Sequence, residues 1–93
     1  VVESQEGRNK TVMVIESRAE LQDLMREKLK SRGYRVLVFS NPERALQRFD
    51  NDEVAPADCV IFSAPDLGND ALEAFNQFAS NERTKDIPAI MLV

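Results

Sequence analysis

The chain has no histidine, one cysteine and three glycines in 93 residues. Without histidine there is no imidazole to act as a general base or to complete a metal site, and Cys59 alone cannot build a disulfide framework or a cysteine cluster. Gly7, Gly33 and Gly68 are scattered, so no glycine-rich loop is available to cradle a phosphate. No apolar stretch approaches the roughly 20 residues that span a bilayer, and the first residues lack the apolar core of a signal peptide. These absences argue against a catalytic enzyme, an exported protein and an embedded one. They fit a reducing cytoplasm.

A chain of this length allows one domain, which buries only about 60–65% of its unfolded surface. Twelve basic and 16 acidic side chains give a net charge of −4, which disfavours nucleic acid as a direct partner. Apolar content of 43% and charged content of 30% are those of an ordinary globule. Arg26, Lys30, Arg44 and Arg48 alternate with Glu20, Glu27 and Glu43 and read as a solvated mixed face.

Residues 1–9, VVESQEGRN, carry no sustained periodicity and read as a tail or linker, with the domain running over residues 10–93. Four short apolar runs then alternate with amphipathic stretches. Thr11 to Ile15 is β-branched and apolar on both faces, as a strand buried between helix layers must be. Ser17-Arg-Ala-Glu20 has the pattern of a capping box, followed by a stripe of Leu21, Leu24, Met25 and Leu29 and closed by Gly33. Arg35 to Phe39 is a second strand. Asn41-Pro42-Glu43 starts a second helix that buries Ala45, Leu46 and Phe49. Asp58 leads into a third strand, Cys59 to Phe62, in which Cys59 reads as a small buried hydrophobe. Asp70-Ala-Leu-Glu73 opens a third helix with a stripe of Leu72, Phe75 and Phe78 flanked by Ala71 and Ala79. Ala89 to Val93 is the fourth strand. Strands alternating with helices imply right-handed βαβ units and an open parallel sheet.

The succession KTVMVIES, SRGYRV, ADCVIFSAPDL and KDIPAIMLV resembles a response-regulator receiver domain over residues 10 to 93. That resemblance implies a flavodoxin-like α/β sheet with strand order 2-1-3-4, and a fifth strand and last helices that the family has and this chain lacks. The chain is accordingly expected to be part of a longer polypeptide, or to associate through the edge of strand four as a homodimer.

In such sheets the chemistry sits outside the carboxyl ends of the strands, where the family places two acids, a phosphate-accepting Asp and a Ser or Thr. Here Glu16 stands at the first acid position, Ser17 at the second, Ser63 at the acceptor and Val93 at the fourth-strand position. Asp66 lies past Pro65 in the loop, where it would not project from the strand end. Ser17 reads as a helix cap and Glu16 as a solvated or paired acid. A serine hydroxyl needs an adjacent base to act as a nucleophile, and no histidine can serve.

The five residues therefore form a degenerate phosphorylation pocket with no catalytic residue, no metal ligand and no cofactor. The expected function is that of a pseudo-receiver in signal transduction. It would bind other signalling proteins or neighbouring domains of the same polypeptide without phosphorylation, and without contacting nucleic acid or membrane. The alternative is an unorthodox receiver that still holds a divalent ion or a small phosphorylated ligand at the strand ends.

Overall fold

The computed structural model describes residues 10–51, 54–63 and 68–92, and in it every expected strand and helix forms. The order is β1 (Thr11–Ile15), α1 (Ala19–Ser31), β2 (Arg35–Phe39), α2 (Pro42–Asn51), β3 (Cys59–Ser63), α3 (Asn69–Ser80) and β4 (Ala89–Leu92). The four strands make one parallel sheet in the order β2-β1-β3-β4. The step from β1 to β2 runs opposite to the later steps. Right-handed crossovers therefore place α1 on one face and α2 and α3 on the other.

The face beneath α2 and α3 holds the core. Met13, Ile15, Val60 and Phe62 pack with Ala45, Phe49, Ala74 and Phe78, and half-buried Leu37, Phe39, Phe75 and Met91 extend the cluster. Phe62 meets both Phe75 and Phe78 edge-on, and Phe49 meets Phe78 the same way, the geometry that the ring quadrupole favours. The opposite face is covered unevenly. Val12 and Val14 are buried, whereas Ile90 and Leu92 at the far side are exposed and α1 contributes no fully buried residue.

Two of the stripes read from periodicity need correction. Leu24 is 48% exposed, so the inward line of α1 is half-buried Leu21, Met25 and Leu29. In α3 the inward residues are Ala71, Ala74 and Phe78 with half-buried Phe75, while Leu72 is 49% exposed and Ala79 faces solvent. Positions 71, 74, 75 and 78 follow the three-and-four spacing of one helix face. Leu72 stands about 100° away from Ala71 on the helical wheel.

Helix ends also separate correct from displaced expectations. Asn41 caps α2 as its sequence implies, accepting from the Glu43 N–H at 2.8 Å, with Pro42 as the first helical residue. Gly33 has φ 91°, and paired bonds from Gly33 N–H to Lys30 and from Tyr34 N–H to Leu29 close α1 in a Schellman motif. The two capping boxes are out of register. Helix α1 begins at Ala19 with Arg18 at the cap, one residue beyond Ser17, because the Glu16 carboxylate accepts the Arg18 N–H at 3.2 Å. Helix α3 begins at Asn69 with Gly68 at the cap in a positive-φ conformation, which leaves Asp70 in the first turn, where it complements the helix dipole.

Candidate functional site at the carboxyl ends of the strands

Glu16 continues β1 by one ladder bond, its N–H donating to the Phe39 carbonyl of β2 at 2.9 Å. Because side chains alternate along a strand, Glu16 lies in line with Val12 and Val14, and Ser63 in line with Cys59 and Ile61. Both therefore point to the α1 face. The β1–β3 register pairs Ile15 with Phe62, which brings the next residues, Glu16 and Ser63, level at the end of the sheet.

The Ser63 hydroxyl donates to Glu16 Oε1 at 2.8 Å, and both residues are buried, at 3% and 0% exposure. The other carboxylate oxygen, Oε2, accepts the Arg18 N–H, and the Gln22 side-chain amide donates to the Glu16 carbonyl. Every polar group of Glu16 is thus engaged. A buried carboxylate is tolerated only when hydrogen-bonded, and here neutral donors from β3 and the start of α1 supply the bonds.

Of the two alternatives for Glu16, solvated or paired, the structure has the partnered one, fully enclosed and hydrogen-bonded, and the reading of Ser63 changes. Ser63 has an adjacent base after all, the Glu16 carboxylate, although the hydrogen bond to it occupies the serine's single donor. Ser17 is half-buried beside this pair. Leu92 stands level with Ser63 across β3 and β4. Asp66 and Val93 lie outside the described residues. Cys59 sits on the same face, half-buried, and burial pushes its thiol up against a smaller lowering by the Val60 backbone.

Among the described residues there is no group of three acidic, histidine or cysteine side chains that could hold a metal ion. Glu16 has no oxygen left unengaged for one. The same described residues include no helix long and apolar enough to cross a membrane.

The fold has counterparts among solved structures. The N-terminal domain of a response regulator receiver protein from Methanoculleus marisnigri JR1 aligns with a TM-score of 0.77 at 24% identity over 90% of this chain. The chain has the receiver fold. The receiver domain of a sensor histidine kinase from Pseudomonas aeruginosa PAO1, which has a magnesium ion coordinated in its active site cleft, aligns at 0.75 and 21% identity over 90% of the chain. A structure of the histidine kinase ThkA in complex with the response regulator protein TrrA aligns at 0.73 and 26% identity over 88%. The receiver fold here spans 66% of the length of each of these three chains. No family model and no curated protein matches the sequence.

Within this fold the strand ends differ from a site built to hold a divalent ion. Magnesium demands near-octahedral oxygen ligands and is held by carboxylates together with phosphate and water. The described strand ends offer one carboxylate, turned inward onto Ser63. They do not fit that ion.

Proposed function

We propose that this chain is a receiver-type signalling module that works by binding other signalling proteins or neighbouring domains, in one conformation and without phosphoryl transfer. The hydrogen bond from Ser63 to Glu16 carries this reading. A phosphoacceptor must present an unencumbered nucleophile to solvent and to a metal ion. Here the residue at the strand-three end is a serine only 3% exposed and turned onto a single buried carboxylate, and no group of acids that could hold a metal ion stands beside it among the described residues. The likeness to receiver domains, one of them in a histidine kinase complex, supports the signalling context. The module needs no cofactor, has no enzymatic activity of its own and resides in the cytoplasm. The outer edge of β4 is unpaired among the described residues and is a template for strand pairing with a second copy. Light scattering that shows only monomer at high concentration removes that dimer.

The test is incubation with acetyl phosphate and Mg²⁺ followed by intact-mass measurement, with amide shifts recorded in Mg²⁺ and beryllofluoride. The expected result is no added phosphate and unmoved amides at Glu16 and Ser63. A phosphoryl adduct, or saturable shifts at those amides, would establish instead an unorthodox receiver that still holds an ion or phosphorylated ligand.

A further inference from the structure

Helices α2 and α3 pack side by side on the core face, and an open cleft of about 320 Å³ lies between residues 40–46 at the start of α2 and residues 70–77 of α3. Its inner wall is apolar, formed by buried Pro42, half-buried Leu46 and buried Ala74. Its rim carries three exposed carboxylates, Glu43 from α2 and Asp70 and Glu73 from α3. No basic residue lines it among the described residues, and α3 contains no lysine or arginine at all.

Two of the described surface acids are held in local ion pairs. Asp23 is paired with Arg26 and Glu82 with Lys85, each at 3.2 Å and each within one turn of its own segment. Among the described residues Glu43, Asp70 and Glu73 have no ion-pair partner. Two helices therefore bring three carboxylates without an ion-pair partner to a cleft with apolar residues in its wall, with Asp70 and Glu73 one turn apart on the same face of α3.

We infer that this cleft is a docking surface for a basic polypeptide segment of a partner protein. Lysine or arginine side chains of the segment would lay their aliphatic stems on Leu46 and Ala74 and their cationic heads against Glu43, Asp70 and Glu73. Charge complementarity selects this occupant. An anionic or purely apolar segment would bring no charge to match the rim, whereas long cationic side chains combine an apolar stem with a charged tip. The volume sits at the lower end of ligand-sized cavities, roughly 300 to 1,000 Å³, which suits one or two such side chains and not a bulky ligand. The inference rests on the interaction-module reading and names its surface and partner class.

The experiment titrates isotope-labelled protein with a short amphipathic peptide of leucine and arginine and follows backbone amide shifts. Saturable shifts are expected at Glu43, Leu46, Asp70, Glu73 and Ala74. The triple variant E43Q/D70N/E73Q should bind about tenfold more weakly, as the loss of three partly screened pairs implies. The charge-matched control D23N/E27Q/E82Q should bind as the parent does. Equal weakening in both variants would show attraction to net charge alone and overturn the inference. Saturation of the same amides by spermidine or Mg²⁺, with no effect of the peptide, would overturn it in favour of a small cation. The phosphorylation assay does not involve this cleft, so failure here leaves the result at Ser63 and Glu16 to be judged separately.

Discussion

Phe62 on β3 and Phe75 on α3 meet edge to face, with ring centroids 5.5 Å apart and planes at 86°. Phe78 completes the contact from one turn further along the helix, and is almost fully enclosed where Phe75 is half-buried. Phe78→Ala is therefore expected to cost about 3–5 kcal/mol, the usual range for a core phenylalanine. Phe75→Ala should cost less, about 2 kcal/mol, because part of that ring is already in water. Denaturant midpoints of the two variants check the ranking. A larger loss at Phe75 would mean that Phe75 is the true anchor of α3.

Removing the hydroxyl with Ser63→Ala leaves Glu16 Oε1 buried without its donor, which should cost about 1–3 kcal/mol. Ser63→Asp should be worse at neutral pH, because it sets a second carboxylate against a buried one. Two such acids raise the pKa of the pair, so stability lost at pH 7 should be partly regained as one proton binds on acidification. Chemical denaturation at pH 7 and pH 5 reads this. A Ser63→Asp variant as stable as the parent at pH 7 would show that the pair is more open than its burial indicates. On its own this substitution should not confer phosphoryl transfer, and adding Ser17→Asp should be needed before any adduct forms.

Gly33→Ala should destabilise by about 1–2 kcal/mol, since φ 91° places a Cβ against the following carbonyl. Gly33→Asn should cost less than alanine, because asparagine tolerates left-handed backbone better. Asn41→Ala should cost about 1 kcal/mol through loss of the bond to the Glu43 N–H. Thermal unfolding of the three variants, followed by circular dichroism, compares them directly.

The raised Cys59 thiol has two measurable consequences. Less thiolate is present at a given pH than in an unfolded chain, so alkylation by iodoacetamide at neutral pH should be slower in the native protein. The folded state favours the protonated thiol, so its contribution to stability is complete below the unfolded pKa, near 8.5, and declines as pH rises through the higher folded value. Cys59→Ser should flatten that alkaline decline. Faster alkylation of native than of unfolded protein would contradict the direction.

The strand runs, the helix positions and the Asn41 and Gly33 signals were legible because each depends on a few adjacent residues. The sheet order came from the receiver resemblance and from crossover handedness. Leu24 and Leu72 were misplaced because apolar spacing marks the centre of a buried stripe but not its width, and Ala74 was missed because a small residue adds little to a periodic pattern. The capping boxes slipped because Glu16 and Gly68 carry the helix entries that Ser17 and Asp70 were expected to carry. The contact between Glu16 and Ser63 was invisible in the chain for a simpler reason. A carboxylate at a strand end reads the same in sequence whether it turns toward water or toward a neighbour that folding brings alongside.

The position of β1 at the centre of the sheet bears on how the molecule assembles. Its two partners lie downstream, β2 after one helix and β3 only after two. Of these four strands, the first in sequence therefore waits through two helices for its second neighbour. Until Cys59–Ser63 has emerged and closed the larger loop, one edge of the most apolar strand stays open, and no local turn can shorten the search. Val12 to Ile15 is thus the segment most exposed to wrong pairing in a nascent chain, although it is the best protected in the finished one.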